Sequence, residues 1–353
     1  MLKKIFSIII MILILVGLSG NVFANDTYTA TSTINGVTVN WQYEINDKDQ
    51  ITNLECTNPT DLVGNITVPA TLDGKDVISL KFQAFKGATN ITGVTLPDSV
   101  KEIGYRVFEG CSNLTTVNLN KLESIDGNAF KDCPKLTQIT IPKTLTNGNG
   151  FQHGPFSGTT KLTSVTFEEG CTTIPEALLE DCTGLTQLTL PNTVSEILEK
   201  AFKGCTGITE ITLPDSVKAI SYRVFEGCSN LLKITILDNC TNMGENIFED
   251  HNQNLTIYCY EDSVAEQYAI DNNIKYAYLT KPTTDGENDK KDEQNQQQKP
   301  NNSQGPTKKD DPTTAPGKLP QTGATIIGVF VVLIISTASV IFYTKYRELK
   351  EIK

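Results

Sequence analysis

The sequence is poor in the residues that supply most metal and acid–base chemistry. Only two histidines, His153 and His251, occur among 353 residues, and neither lies in a motif that would give it a nucleophile or a metal partner. Nine cysteines are present, but no two stand at the short C-x2–4-C spacing of structural zinc sites. We therefore expect no metal, no cofactor and no catalytic residue. An enzyme that uses the loop around His153 is the alternative.

The sequence also lacks an excess of basic residues. Its 41 acidic and 30 basic residues give a formal net charge of −11 at pH 7. Residues 25–280 account for all of the negative charge, because the segment 281–318 contains seven residues of each sign. Binding to phosphate backbones requires a basic surface, so we expect no nucleic acid partner.

What the sequence does contain is one unit repeated at a nearly fixed interval. An aromatic or leucine position recurs at intervals of 23, 22, 26, 23, 23, 23 and 23 residues, at Phe85, Phe108, Phe130, Phe156, Leu179, Phe202, Phe225 and Phe248. Five residues earlier stands an apolar anchor, at Leu80, Ile103, Ile125, Phe151, Ile174, Ile197, Ile220 and Met243. Such a period predicts a solenoid, whose units bury their apolar faces against their neighbours.

A six-residue apolar pattern precedes each anchor and predicts a strand. Examples are Ile91, Val94 and Leu96 in one unit and Leu185, Leu188 and Leu190 in another. Alternation of apolar with polar residues indicates a strand with one buried face. In several units a proline follows and ends the hydrogen-bond ladder, because proline has no N–H to donate.

The repeated unit carries a family resemblance. The pattern L-x-x-V-x-L-P-x-S-V-x-x-I-x-x-x-x-F-x-x-C resembles the BspA-like leucine-rich repeats of microbial surface proteins, over roughly residues 62–279. The resemblance implies a right-handed leucine-rich-repeat solenoid with a parallel sheet on one face and short, irregular or second-strand segments on the other. We place the solenoid at residues 79–254. The fold alone names no ligand.

Segments on both sides of the array do not keep the period and are predicted to cap it. In the N-terminal β cap, residues 25–78, Asn35-Gly36 stands between β-prone flanks and predicts a hairpin. Trp41, Tyr43 and Ile45 alternate, so they can cover the first repeat, which would otherwise expose apolar side chains and strand edges. A binding role for this segment is the alternative.

The C-terminal cap is predicted at residues 255–280. A strand at Leu255–Cys259 precedes Ser263 and Glu266, whose spacing is that of a capping box at the start of a helix. The helix should run to about Ile270, and a closing strand should follow from Ile274 to Leu279. These elements would seal the end of the core.

The chain has the terminal segments of an exported protein. Residues 1–24 contain two lysines, an apolar run and a small-residue end, which is the pattern of a signal peptide. An uncleaved anchor is the alternative, although the apolar run is short for a bilayer span. Residues 281–318 contain no aromatic residue and nothing aliphatic larger than Ala315, so they are predicted to form a disordered spacer.

The C-terminal residues resemble the cell-wall sorting signal of Gram-positive surface proteins. Its three parts are an apolar span at 324–344, a basic tail at 345–353 and the preceding pentapeptide Leu319, Pro320, Gln321, Thr322 and Gly323. The resemblance implies that a sortase cuts between Thr322 and Gly323 and joins the Thr322 carboxyl group to peptidoglycan. A plain membrane anchor is the alternative.

Eight of the nine cysteines stand in columns that hold apolar residues in other repeats. They are Cys111, Cys133, Cys171, Cys182, Cys205, Cys228, Cys240 and Cys259. A free cysteine behaves as a small hydrophobic residue, so we predict core thiols, with disulfides as the alternative. Cys56, in the N-terminal cap, falls outside these columns.

The predicted binding surface is the solvent side of the strands. Its first column is Thr95, Asn118, Thr140, Thr166, Thr189, Thr212 and Thr235, and the column two residues earlier includes Gln138 and Gln187. Threonine here has a second explanation, which is simply its β-propensity. The surface lacks aromatic side chains on which sugars or bases could stack, so a broad polar protein contact fits best. Tyr105 and Tyr222, each followed by arginine, are the best aromatic contact candidates on another surface.

These patterns together predict a protein secreted from a Gram-positive bacterium and anchored to its cell wall. We expect its repeat domain to mediate adhesion or recognition through contacts with a host or bacterial surface protein. The alternative is a structural surface or biofilm component that associates with itself and has no host ligand.

Overall fold

Most repeats contribute two short strands, one from the six-residue apolar pattern and one from the anchor position. In the computed structural model, which describes residues 26–149 and 153–280, each strand stacks on its equivalent in the neighbouring repeat. We call the surface formed by the six-residue patterns the front face and the surface formed by the anchors the back face. The described residues belong to one compact unit.

The structure contains short strands and little helix. A 3-10 helix spans Pro59–Asp61, and helix α1 spans Val264–Asp271. In chain order the strands are β1 (Tyr28–Ile34), β2 (Val37–Ile45), β3 (Ile51–Cys56), β4 (Gly64–Thr67), β5 (Thr71–Leu72), β6 (Lys75–Asp76), β7 (Ser79–Leu80), β8 (Ile91–Thr95), β9 (Glu102–Ile103), β10 (Thr116–Asn118), β11 (Ser124–Asp126), β12 (Gln138–Ile141), β13 (Asn147–Asn149), β14 (Ser164–Phe167), β15 (Thr173–Ile174), β16 (Glu196–Ile197), β17 (Glu210–Thr212), β18 (Ala219–Ile220), β19 (Lys233–Thr235), β20 (Asn242–Met243), β21 (Thr256–Cys259) and β22 (Lys275–Tyr278).

The repeat strands pair in parallel on both faces. The front face consists of three separate sheets, β4-β8-β10, β12-β14 and β17-β19-β21-β22. The back face consists of β1-β2-β3-β7-β9-β11-β13 and β15-β16-β18-β20, in which only β1, β2 and β3 pair antiparallel. Strands β5 and β6 form a small antiparallel ribbon. The predicted parallel solenoid is therefore confirmed, with paired strands on both faces.

A column of stacked phenylalanine rings fills the core. Neighbouring rings lie nearly parallel, with centroids 5.1 to 5.8 Å apart, from Phe85 to Phe156 and again from Phe202 to Phe248. Leu179 takes the ring position between the two stacks and is fully buried. Each repeat thus gives the next one an apolar surface to cover, which is how a solenoid builds a continuous core.

The two terminal segments cover the ends of this ring column. The indole of Trp41, on β2, meets the Phe85 ring edge to face at 5.9 Å, and the Tyr268 ring of α1 meets Phe248 in the same way. The Asn35 side chain, in the turn between β1 and β2, donates hydrogen bonds to the carbonyls of residues 63 and 65, which fixes the hairpin to the first front strand. These contacts place an aromatic side chain from each terminal segment against the end of the ring column.

The predicted N-cap forms, together with half of the predicted capping box. The Ser263 hydroxyl accepts a hydrogen bond from the backbone N–H of Glu266 at 3.1 Å. The Glu266 carboxylate accepts the N–H of Asp262, one residue before the N-cap, at 2.6 Å, and the Ser263 N–H donates to the Tyr260 carbonyl instead. Backbone donors at the start of a helix have no partner within the helix, so the Ser263 bond fixes where α1 begins.

Each repeat turns its corner through the left-handed region of the backbone. Two residues before the phenylalanine column, φ is positive at Gln83, Arg106, Asn128, Ala177, Lys200, Arg223 and Asn246. Two residues after the column, glycine or aspartate takes positive φ in every repeat. Glycine, asparagine and aspartate adopt this conformation at least cost. The positive φ therefore explains why glycine or aspartate stands two residues after the phenylalanine column.

One sequence prediction about this array is wrong. The pattern at residues 185–190 forms no strand, although Leu185, Leu188 and Leu190 are buried. In the long repeat, Gly148 lies beside the anchor Ile125 in the parallel register, and the predicted anchor Phe151 lies outside the described residues. The three extra residues of this repeat therefore lie between Gly148 and Phe156.

Other predicted segments lie outside the described residues. These are the signal peptide, residues 1–24, the spacer, residues 281–318, and the sorting signal with its span and tail, residues 319–353. Within residues 26–149 and 153–280, no helix has the length and apolarity needed to cross a bilayer.

Candidate recognition face

The front face presents most of the predicted binding residues to solvent. Along each strand, successive side chains point alternately into the core and toward solvent. Because the strands pair in parallel register, the outward side chains of neighbouring strands form a row. The exposed members of the predicted set are Asn118, Gln138, Thr140, Thr166, Gln187, Thr189 and Thr212. They form a row of hydroxyl and amide groups, which can both donate and accept hydrogen bonds.

The two ends of the predicted row are not freely exposed. Thr235 is only 8% exposed, because its register partner on the neighbouring strand is Tyr258. The Lys233 ammonium group lies 5.0 Å from the centre of the Tyr258 ring, so this end of the face is covered by side chains. Thr95 is half-buried between Thr67 and Asn118. Thr235 is therefore removed from the candidate surface.

One opening of the front face lies where the strand ladder is interrupted. Between β14 and residues 186–192 runs a cleft of about 560 Å³, lined by Thr163–Phe167, Glu169, Thr186, Gln187 and Thr189–Asn192. Smaller clefts separate β10 from β12, of about 240 and 370 Å³. Six of the predicted residues line these three clefts: Asn118, Gln138, Thr140, Thr166, Gln187 and Thr189.

The cleft beside β14 is polar and carries few charges. Glu169 is its one charged lining residue, and Glu168 lies in the smaller cleft on the other side of β14. Of the lining residues, Val165, Phe167 and Leu190 are buried and point into the core. The cleft therefore offers hydroxyl groups, amides and backbone atoms, with a weakly negative rim. This arrangement can bind a polar partner through hydrogen bonds.

One cluster near the long repeat has side chains that could hold a metal ion. Ligand atoms of His153, Glu180 and Asp181 lie within 4.8 Å of one another. The buried Glu180 carboxylate already accepts the N–H of Gly154 at 2.7 Å and faces the Lys203 ammonium group at 3.8 Å. Burial raises the pKa of Glu180, and the Gly154 N–H partly offsets that rise.

The predicted aromatic contact residues lie on a corner of the solenoid and are half-buried. The Arg106 guanidinium lies 4.8 Å from the centre of the Tyr105 ring, and Arg223 covers Tyr222 in the same way at 4.7 Å. Tyr105 also stacks on Phe82 at 5.8 Å, and Phe82 is 50% exposed. The sequence analysis missed Phe82, although it stands in the column of Tyr105 and Tyr222, three residues before the core phenylalanine.

The cysteines belong to the core and not to a site. All nine are buried and free. Five of them stand three residues after the phenylalanine column. Each of these five donates its thiol to the main-chain carbonyl of the residue that holds the phenylalanine position in the preceding repeat. Cys205, for example, donates to Leu179 at 3.1 Å and Cys228 to Phe202 at 3.2 Å. Burial raises the pKa of Cys111, Cys182 and Cys228 to about 12, so their thiols are neutral at pH 7.

Comparison with solved structures finds leucine-rich repeat proteins of bacteria. A leucine-rich repeat protein of T. pallidum is 24% identical, and the match covers 67% of this chain and 94% of that chain with a TM-score of 0.43. A leucine-rich cell surface protein of Faecalibacterium prausnitzii is 21% identical over 65% and 76% of the two chains, with a TM-score of 0.37. Likenesses at this level carry no argument about function. No curated protein matches the sequence.

The family is established by the repeats themselves. The family described as "BspA type Leucine rich repeat region" matches residues 60–182 and 149–276, in six copies. The matched residues form the stacked parallel strands and the phenylalanine core described above. The chain belongs to the family of BspA-type leucine-rich repeat proteins.

Proposed function

We propose that this protein is a non-enzymatic surface receptor or adhesin, whose front face binds a partner protein. The observation that carries the proposal is the row of exposed hydroxyl and amide side chains from Asn118 to Thr212, interrupted by clefts that the same residues line. A rigid array of parallel strands holds these groups at fixed spacing, which suits an extended protein contact.

The charge of the repeat domain supports a protein or wall partner of neutral or basic character. Residues 26–280 contain fifteen more acidic than basic residues. Such a surface attracts basic partners at a distance and repels acidic ones. Binding that depends on this charge should weaken as salt is added, because salt screens interactions between exposed charges.

The proposal includes the cellular location. We infer that the chain is exported and then joined through Thr322 to peptidoglycan by a sortase, because the pentapeptide 319–323, the apolar run and the basic tail follow one another at its end. Replacing Leu319 and Pro320 by alanine should move the protein from the wall fraction to the membrane and the medium. Retention of the double variant in the wall fraction would contradict the anchoring proposal.

The test of the binding proposal is affinity capture with the purified protein. Host matrix proteins, serum proteins, mucin and a cell-wall extract of the same organism would be offered separately, at low and high salt. A saturable protein partner that is lost when Gln138 and Thr166 are both changed to arginine supports the proposal. If the protein captures only further copies of itself, the result would favour a structural surface component.

A further inference from the structure

Residues 186–190 occupy the place of a front strand but are not part of any sheet. No main-chain hydrogen bond joins these described residues to β14 on one side or to β17 on the other. In the next repeats the equivalent segments, β17 and β19, pair over three residues. The edge of β14 that faces the cleft is therefore unpaired, and so are both edges of residues 186–190.

The interruption is confined to the main chain of this segment. Leu185, Leu188 and Leu190 remain buried, so the segment is held by its side chains on the core. At its N-terminal end the repeats are in close contact, since a Cβ on Gly184 would lie 2.4 Å from the Thr160 carbonyl oxygen. On the back face, the Ser195 N–H donates to the Thr172 carbonyl at 2.8 Å. The opening is thus local.

The cleft fits an extended chain better than a compact ligand. Its volume, about 560 Å³, lies within the range of roughly 300–1,000 Å³ that ligand clefts occupy. It runs along β14, whose unpaired N–H and C=O groups repeat at the spacing of another strand. Unpaired strand edges bind extended peptides by adding main-chain hydrogen bonds. No exposed aromatic ring among its lining residues offers a surface for stacking a sugar.

We propose that this cleft binds an extended peptide segment of the partner protein, which joins the front face as an added strand beside β14. The inference rests on the proposed function and specifies how the partner is held. Glu169 at the rim and the acidic repeat domain favour a neutral or basic segment. Exposed Thr166, Gln187 and Thr189 would contact alternate side chains of the peptide.

The test uses a phage-displayed library of random peptides selected on the full chain. Selected peptides would then be measured against a cleft variant that carries Thr166→Arg and Thr189→Arg, which fills the cleft with bulky cations. The matched control carries Asn147→Arg and Asn242→Arg, which places two arginines at exposed positions of the back strands β13 and β20, outside the cleft and the front-face row. We expect the cleft variant to lose at least about tenfold in affinity and the control to keep it.

A second measurement separates strand addition from side-chain contact. Replacing successive central amides of a selected peptide by N-methyl amides removes main-chain donors without changing its side chains. We expect an affinity loss of at least about tenfold at one or more positions, and slower amide exchange in residues 164–167 or 186–190 of the bound protein. Equal binding by the N-methylated peptides, or a selection that yields no cleft-dependent peptide, would overturn the inference.

The two proposals fail in different ways. If affinity capture finds a partner that needs Gln138 and Thr166 but no selected peptide depends on its main-chain donors, the recognition function stands and strand addition is wrong. If cleft-dependent peptides are found but no protein partner is captured, strand addition stands and the proposed function is wrong.

Discussion

The rings of Phe130 and Phe156 lie parallel, 5.1 Å apart and at an angle of 4°. The repeat that contains the three extra residues thus keeps its place in the ring column, and the extra residues fall between Gly148 and Phe156 in the sequence. The core is continuous at the point where the sequence period is broken.

The ring column gives the first prediction. Phe156→Ala should lower the free energy of unfolding by about 3–5 kcal/mol, because it removes a fully buried ring and leaves a cavity. Urea denaturation followed by circular dichroism measures this loss. Phe82→Ala is the control, since Phe82 is half-exposed, and it should cost much less. Equal losses for the two variants would mean that the ring column does not stabilise the fold.

The buried thiols predict a loss of stability in alkali. Burial raises the pKa of Cys182 and Cys228 to about 12, while a thiol in the unfolded chain ionises near about 8.5. Between these values the unfolded state binds fewer protons than the native state, so stability falls as pH rises. Each such thiol contributes about 1.4 kcal/mol per pH unit. Thermal unfolding should therefore shift steeply downward above about pH 9.

Serine substitution is the control for this pH dependence. A variant with Cys182→Ser, Cys205→Ser and Cys228→Ser retains a hydroxyl donor for each carbonyl partner and removes three ionisable groups. Its stability should decline less steeply with pH than that of the native protein. Parallel curves for the two proteins would show that these thiols are not the cause.

Ala177 predicts a stabilising substitution. This fully buried residue has φ +50°, in a column where every other described non-glycine residue also has positive φ. The left-handed conformation costs alanine about 1–2 kcal/mol, so Ala177→Gly should raise the free energy of unfolding by about 0.5–1 kcal/mol. Ala201→Gly is the matched control, because Ala201 is equally buried but is not among the positive-φ residues. It should destabilise. If both changes destabilise the protein, the positive φ of Ala177 does not strain the native backbone.

We predict that the ammonium group of Lys203 stabilises the fold by neutralising two poorly exposed carboxylates. Its ammonium group lies 3.8 Å from the Glu180 carboxylate and 3.3 Å from that of Glu226. Lys203→Met removes the ammonium group that lies near both poorly exposed carboxylates, so it should cost about 1–3 kcal/mol at neutral pH. Because burial already raises the pKa of Glu180, the loss should diminish as pH falls and the Glu180 carboxylate becomes protonated. Lys121→Met removes an exposed pair with Asp98 and should change stability little. An equal effect of the two changes, or a loss independent of pH, would contradict this account.

Spacing was sufficient to predict the parts of the fold that repeat. The phenylalanine column and the eight cysteines in apolar columns are buried as predicted, because each position must face the same core in every turn. The hairpin at Asn35-Gly36 and the N-cap at Ser263 were equally predictable. Their signals are local, and neighbouring repeats do not change them.

The features of the binding face depend on contacts between repeats, which spacing does not describe. Residues 185–190 have the same apolar pattern as the paired strands, yet residues 186–190 form no main-chain hydrogen bonds with β14 or β17. Thr235 follows the exposed column in sequence but is buried because Tyr258 lies beside it on the next strand. The cleft and the limits of the exposed row therefore required the structure.

The most direct test of the recognition function is a comparison of front-face and back-face variants in binding a captured partner protein. The front variant carries Gln138→Arg, Thr166→Arg and Gln187→Arg. The back variant carries Ser124→Arg, Thr173→Arg and Asn242→Arg, which adds the same charge on strands β11, β15 and β20. We predict that the front variant loses at least about tenfold in affinity and that the back variant binds like the native protein. Equal binding by the two variants, or a loss confined to the back variant, would contradict the assignment of recognition to the front face.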